Sequence, residues 1–322
     1  KGRQHNAARK HAIDQRRTRV LRKYGKQMVG GDGIRSAEFP KDAVGQSWRG
    51  SESLALGARQ GHNRSLSARD YRDRMFPTTS YDAGDPLPAG NDLDATQAAH
   101  ILGGEVCVWG ELVSEENIES RTWPYAAAIA ERLWSPREVT DAEVTNSSDL
   151  YRRLDIVSLH LEEAGSRHLT NPVAMLRRAA GGEVSDEVRD FVGLMQPLRL
   201  GIRQEERRPT QLTPLTALGD IVVADPPPAR QFAMQVETLL KNQPPGPIRV
   251  REELLKRLKE WQSMKSVIAQ LADRAPLFRD AEGAASDLAD LGVAGEQAIA
   301  FLTNETAPPA EWTRQQTSLL QR

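Results

Sequence analysis

Cysteine is nearly absent: Cys107 is the only one in 322 residues. That count excludes a disulfide framework within the chain and a zinc site built on thiolates. Aromatic residues are scarce as well, at 5% of the chain, so any that recur in a pattern stand out. No run of about 18 apolar residues occurs, and no helical membrane span is expected. Charge of one sign is also lacking: 43 Lys and Arg face 44 Asp and Glu, and mean hydropathy is −0.55. Such a balance demands neither nucleic acid nor an anionic membrane as a global partner. Methionine is missing from position 1 and no signal-peptide core follows Lys1, so the chain is expected to be a piece whose own N-terminus lies upstream.

Several chemical signatures are missing too. The six His residues show neither HExxH nor HxH spacing, so neither a metal nor any other cofactor is expected. "GGDG" (30–33) lacks the Lys-Ser/Thr of a phosphate loop and the spacing of a dinucleotide fingerprint. There is no GxSxG, and Cys107 falls in an apolar run, a poor setting for a nucleophile.

What is present changes character near residue 145. Before it, short apolar runs alternate with glycine and proline turns and with helical stretches. "GKQMVGGDG" (25–33), "DAVGQSWRG" (42–50), "NRSLSARD" (63–70) and "GGEVCVWGE" (103–111) each suit a strand ending in a turn. "SESLALGARQG" (51–61) and the alanine-rich "TWPYAAAIAERLWS" (122–135) suit helices. Strand followed by helix, repeated, predicts a parallel α/β sheet or barrel. After residue 145 the strand signal fades. Leu150, Leu154, Val157 and Leu161 recur at helical spacing, and so do Val250, Leu254, Leu258, Trp261, Met264, Ile268 and Leu271. The expected division is a barrel portion over 1–145 and an all-α region over 146–322.

The first 26 residues hold ten Lys or Arg against one Asp. That pattern suits a nucleic-acid arm or a solvated helix of the α/β layer with Ile13, Val20 and Leu21 facing inward. Tyr24 is the only aromatic there to stack on a base, so the helix is preferred and no nucleic-acid partner is expected.

In an α/β barrel, functional side chains gather where strands end, on the C-terminal face. The expected ends are Gly31–Asp32, Trp48–Arg49, the stretch near Tyr71 and Asp73, and Trp109 with Glu111. Three of the four bring an aromatic, and the last two pair it with a carboxylate. Aromatic rings stack on the apolar face of a sugar while carboxylates accept hydrogen bonds from its hydroxyls. Taken singly, Trp109 also suits a core position and Glu111 a solvated loop acid.

"ILGGEVCVWGELVSEENIESRTWPYAAAIAERLWS" (101–135) resembles the last strand and last helix of the barrel in glycoside hydrolase family 20, the β-N-acetylhexosaminidases, which typically read GGEACMWGE and WPRAAAxAERLWS there. "PKDAVGQSWRG" (40–50) is similar to that family's VVQSWRG strand and "SLSARDYRDRMFP" (65–77) to its LLSNGYYLDLMFP segment. "RRTRVLRKYGKQMVGGDGI" (16–34) is similar to the helix and strand ending in GWDEI. The resemblance runs from residue 12 to about 160. It implies the second half of a (β/α)8 barrel, about four strands, followed by a helical C-terminal extension like that of some bacterial members, and a periplasmic or secreted location.

By position in that family, Trp48 and Trp109 match aromatic walls of a pocket for a terminal N-acetylhexosamine. Tyr71 matches the tyrosine that bonds the acetamido oxygen, and Asp73 and Glu111 match carboxylates that hold sugar hydroxyls. The implied partner is an oligosaccharide or glycoconjugate ending in N-acetylhexosamine. The implied chemistry is retaining and substrate-assisted, an exception to two-carboxylate hydrolysis. Its acid/base Asp-Glu pair lies in an HxGGDE motif that this chain does not contain, and is expected upstream. At GWDEI the chain departs from the family, with Gly31 in place of Trp and Gly33 in place of Glu. Asp70 and Arg72 also replace the residues flanking the family tyrosine. Two further readings therefore stand beside an exo-acting hexosaminidase: a sugar-binding homologue that has lost catalysis, and a helical interaction protein in which 145–322 matters most.

Overall fold

Four short runs of small and apolar residues pair in sequence order into a parallel sheet, β1 (Val29–Gly31), β2 (Val44–Ser47), β3 (Arg64–Leu66) and β4 (Ile101–Gly104). The computed structural model describes residues 2–32, 40–67, 85–88, 90–110, 113–136, 138–140, 147–195, 217–241 and 246–320, with Tyr71, Met75 and Thr78. Register is regular between β1 and β2, where Val29 meets Val44, and between β2 and β3, where Gly45 meets Arg64. Between β3 and β4 it shifts by one residue after Arg64.

The sheet belongs to a unit comprising residues 1–113 and 122–165. Within it α1 (Gly2–Lys23) precedes β1 and α2 (Ser51–Arg59) connects β2 to β3. The short α3 (Ala95–Ala98) leads into β4, and α5 (Tyr125–Trp134) and α6 (Ser147–Glu163) follow; the intervening α4 (Ile118–Thr122) falls in the second unit up to Arg121. Parallel strands joined by helices are the half-barrel pattern expected from the sequence. Leu150 and Leu154 of α6 pack with Ala128 of α5 in a small buried cluster.

A second unit comprises residues 114–121 and 166–322. Its described elements are α7 (Thr170–Ala180), α8 (Asp186–Leu194), α9 (Pro227–Lys241), α10 (Ile248–Arg274), α11 (Glu282–Thr303) and α12 (Ala310–Leu319), with 3₁₀ turns at Leu218–Asp220 and Pro276–Ala281. The predicted stripe of α10 is its buried face: Leu254, Leu258, Trp261, Met264, Ile268 and Leu271 are all buried. Gly292 lets α11 lie against it, since a Cβ there would sit 2.6 Å from the Leu258 carbonyl oxygen.

Two expectations need correction. The "GGEVCVWGE" stretch is not a strand through Trp109. β4 ends at Gly104, and beyond it Cys107 makes a single isolated bridge to Tyr71. Gly103 has φ +127°, a conformation that side chains other than glycine's rarely adopt, and it lies within β4 at the one-residue shift against β3. Gly104 then accommodates Leu133, whose Cδ2 would lie 2.9 Å from a Cβ at that position. In α1, Leu21 packs against Met28 and Ala43 as expected, but Ile13 and Val20 are half exposed. They lie over β1 in an open groove, while Asp14 and Thr18 of α1 are buried. Thr18 satisfies its hydroxyl by donating to the Asp14 carbonyl at 2.9 Å.

Candidate functional site

Trp48 is the first residue past β2 and is 40% exposed. Its position is set from below by Asp32, one residue past β1 and fully buried. The Asp32 carboxylate accepts from the Arg49 amide at 2.6 Å and from the Ser53 hydroxyl in the first turn of α2. A carboxylate there also complements the positive end of the helix. Its counter-charge is Arg64, 3% exposed, whose Nη1 lies 3.8 Å from Asp32 Oδ1. Arg64 threads a space that exists because two residues lack side chains. A Cβ on Gly45 would fall 2.4 Å from its Nη1, and one on Gly57 would fall 1.9 Å from its Nε. Asp32 is thus committed to holding the turn under Trp48.

Arg49 lies over the indole of Trp48, with its guanidinium carbon 4.6 Å from the ring centroid. That cation–π contact occupies one face of the ring. On the side of β1, Trp48 Nε1 lies 3.3 Å from where a Cβ of Gly31 would sit. The smallness of residue 31 and the pose of Trp48 are therefore linked.

Two strands further on, the aromatic side chains come after the strands and not within them. Tyr71 lies five residues beyond β3 and Trp109 five beyond β4. The Tyr71–Cys107 bridge draws these segments together, and Gln46 from β2 reaches the same place, donating to Cys107 Sγ at 3.6 Å. The rings of Tyr71 and Trp109 then meet at 6.4 Å with an interplanar angle of 36°. Tyr71 is buried and Trp109 is 53% exposed, so Trp109 is not a core residue. The structure brings Tyr71 and Trp109 together and leaves Trp48 apart, just past β2. Neighbouring strands lie about 4.8 Å apart, which puts β2 and β4 roughly 10 Å from each other. Asp73, Glu111 and Gly33 lie outside the described residues.

A groove of about 830 Å³ opens between α1 and β1, lined by Ile13, Val20, Met28, Val29 and Gly31, and it reaches Trp48. Its floor is β1, which pairs with β2 alone among the described strands, and Val29 there is 66% exposed. Sequence reasoning missed both this groove and the Asp32–Arg64 pair. A charged residue inside a strand, "NRSL", with glycines in the strand and helix beside it was the only available signal.

Residues 3–137 match the family described as glycosyl hydrolase family 20, catalytic domain. Beta-hexosaminidase A of Caenorhabditis briggsae is 60% identical over 75 residues, 22% of this chain and 13% of that protein. Beta-hexosaminidase subunit beta of Mus musculus is 48% identical over 56 residues, 17% of this chain and 10% of that one. The Homo sapiens subunit beta is 32% identical over 135 residues, 40% of this chain and 23% of that protein. Among solved structures, the chitobiase of Flavobacterium johnsoniae superposes with a TM-score of 0.82 at 29% identity, covering 97% of this chain and 47% of its own. The chain thus spans about half the length of that chitobiase and under a quarter of these curated relatives.

Proposed function

The chain carries part of a glycosyl hydrolase family 20 catalytic domain over residues 3–137, and from that premise we propose that it belongs to an exo-acting β-N-acetylhexosaminidase. The substrate is an oligosaccharide or glycoconjugate ending in N-acetylglucosamine or N-acetylgalactosamine. The observation that carries this reading is the meeting of Tyr71 and Trp109 just past two neighbouring parallel strands, one buried and one half open. Trp109 stacks on the apolar face of the terminal sugar, and Trp48 supplies a second wall through the ring face opposite Arg49. Asp73 and Glu111 accept hydrogen bonds from the sugar hydroxyls.

In the proposed reaction the substrate's own acetamido oxygen attacks the anomeric carbon as the glycosidic bond breaks. An oxazolinium ion and a protonated leaving group result. Water then reopens the ring with retention of configuration. Tyr71 donates to the acetamido oxygen and holds it in line for attack. The carboxyl pair that orients the acetamido nitrogen and moves the proton lies outside these 322 residues. In the same reading, 1–145 is the barrel portion and 146–322 the helical extension.

The test is nitrophenol release from p-nitrophenyl N-acetyl-β-D-glucosaminide, with the intact gene product and the 322-residue chain assayed in parallel. Release by the intact protein and none by the chain alone is the expected result. An intact protein that neither hydrolyses the glycoside nor binds N-acetylglucosamine would sink the proposal. A second reading, a sugar-binding homologue without catalysis, draws on Gly31, where Trp48 closes on the space that the family's tryptophan fills. Binding without hydrolysis by the intact protein would decide for it.

A further inference from the structure

Two polar atoms from β2 and its end converge on a point where β1 has no side chain. Gly31 stands in register with Gln46, and Trp48 follows Gln46 by two residues, on the same side of the strand. A Cβ on Gly31 would lie 3.3 Å from Trp48 Nε1 and 3.8 Å from Gln46 Oε1. The φ of Gly31 is outside the left-handed region, so the backbone itself does not call for glycine there. What the missing side chain leaves is a small niche with polar walls. Gly31 and Trp48 also line the groove beside β1, which gives the niche an entrance.

The hydrogen-bonding capacity of these walls is largely unspent. Among the described residues the Gln46 side chain makes one hydrogen bond, from Nε2 to Cys107 Sγ at 3.6 Å, and Trp48 Nε1 makes none. A thiol is a weak partner, and Gln46 Oε1 keeps its lone pairs. The indole N–H can only donate and the amide oxygen can only accept. A carbonyl placed between them would satisfy the indole alone, and an ammonium the amide alone. A hydroxyl donates and accepts at one atom, and it satisfies both.

We infer that Gly31, Gln46 and Trp48 form a specificity niche for a substrate hydroxyl, which accepts from Trp48 Nε1–H and donates to Gln46 Oε1. This rests on the proposed reading of Trp48 as a wall of the sugar site, and it gives the edge of that ring a polar role. In the family motif GWDEI a tryptophan stands at position 31, and its side chain would start at the point where the two atoms meet. Glycine there uncovers them. The hydroxyl belongs to the sugar ring or to a hydroxylated N-acyl group, and the same two bonds serve either source. A site built around a hydroxyl discriminates against the analogue that lacks it.

The experiment titrates the intact gene product calorimetrically with N-acetylglucosamine, its monodeoxy analogues and N-glycolylglucosamine. One hydroxyl should contribute about fivefold to affinity, the size of one neutral hydrogen bond. A loss with one deoxy analogue assigns it to the ring, and a gain with the N-glycolyl sugar assigns it to the acyl group. Gly31→Ala puts a methyl into the niche against a half-exposed indole that can give way, and Gln46→Leu removes the acceptor at similar size. Each should cut that hydroxyl's contribution to within twofold of none. The Trp48 indole N–H resonance, identified by its loss in Trp48→Phe, should shift on binding of the sugar, and with glycerol as a hydroxyl probe that needs no sugar site. Hydroxyl contributions that survive both substitutions overturn the inference, and so does sugar binding that leaves the Trp48 resonance unmoved. A resonance that moves with neither probe overturns it as well. A resonance that answers glycerol in the wild type and not in Gly31→Ala, in a protein that binds no N-acetylhexosamine, supports the niche and counts against the proposed function instead.

Discussion

Tyr71 and Trp109 face each other at 6.4 Å between ring centroids, tilted by 36°, although neither lies in a regular strand. One backbone bridge between Tyr71 and Cys107 aligns the two segments, and the buried ring then backs the exposed one. Contacts of this offset kind are worth about 1 kcal/mol beyond burial. That is enough to hold an exposed indole in one orientation.

Replacing Trp109 by Ala should leave folding nearly untouched, because the ring is half exposed, and should weaken sugar binding. A central aromatic anchor commonly costs about 2 kcal/mol on truncation, roughly a 30-fold loss of affinity. Calorimetric titration of the intact protein with N-acetylglucosamine reads the effect. Tyr71→Phe keeps the ring contact and removes the hydroxyl, so it should spare affinity more than it spares kcat.

The turn under Trp48 should be fragile in a specific way. Gly57→Ala places a methyl where Arg64 Nε lies, and the cost should be at least the 1–3 kcal/mol of overpacking. Asp32→Ala removes the carboxylate 3.8 Å from the buried Arg64, and breaking a buried pair from one side costs about 3–5 kcal/mol. Denaturant unfolding of each variant checks both figures, with Gly50→Ala at a neighbouring open turn as a poor comparator because of its positive φ.

Acid should destabilise the sheet-bearing unit through His62. This side chain is 1% exposed in the turn ahead of β3. Burial, then Lys41, Arg64 and His100, push its pKa below the usual histidine value. The unfolded chain therefore takes up a proton near pH 6.5 while the folded one resists it. Stability from this group is complete above that pH and is lost as pH falls below it. Melting temperatures measured between pH 8 and 5 should decline on the acid side, and His62→Gln should flatten the decline.

In the helical unit, Gly292→Ala should separate α10 from α11. Its Cβ would lie 2.6 Å from a backbone oxygen that no rotamer change can move. A loss of about 1–3 kcal/mol is expected from such overpacking, read as a lower thermal midpoint with unchanged far-ultraviolet dichroism.

Much of this was legible in the sequence, because period and punctuation are local. The α10 stripe, the alanine-rich α5 and three of the four strands fall where spacing and glycine turns put them. The fourth strand departs from the pattern locally: Gly103 takes a positive φ at a register shift inside β4, and nothing in "ILGGEVCVWGE" says which glycine will do so. Arg64 stood out in no pattern, because its pocket is made by glycines on two other elements. Arg121 and Asp220 form a buried pair at 3.4 Å although 99 positions apart, and neither stands in a motif. Ile13 and Val20 had the spacing of inward residues, but β1 beneath them pairs with β2 alone among the described strands.

Cys107 gives the molecule one practical property. It is the sole thiol, partly accessible, and its sulfur lies beside Gln46 in the segment bridged to Tyr71. Within these 322 residues a maleimide dye can therefore attach at one address only, two residues from Trp109. An indole quenches many such dyes at short range, so brightness would follow the opening and closing of that corner. The scarcity of sulfur thus turns the neighbourhood of the two rings into a place where motion can be watched in a single labelled molecule.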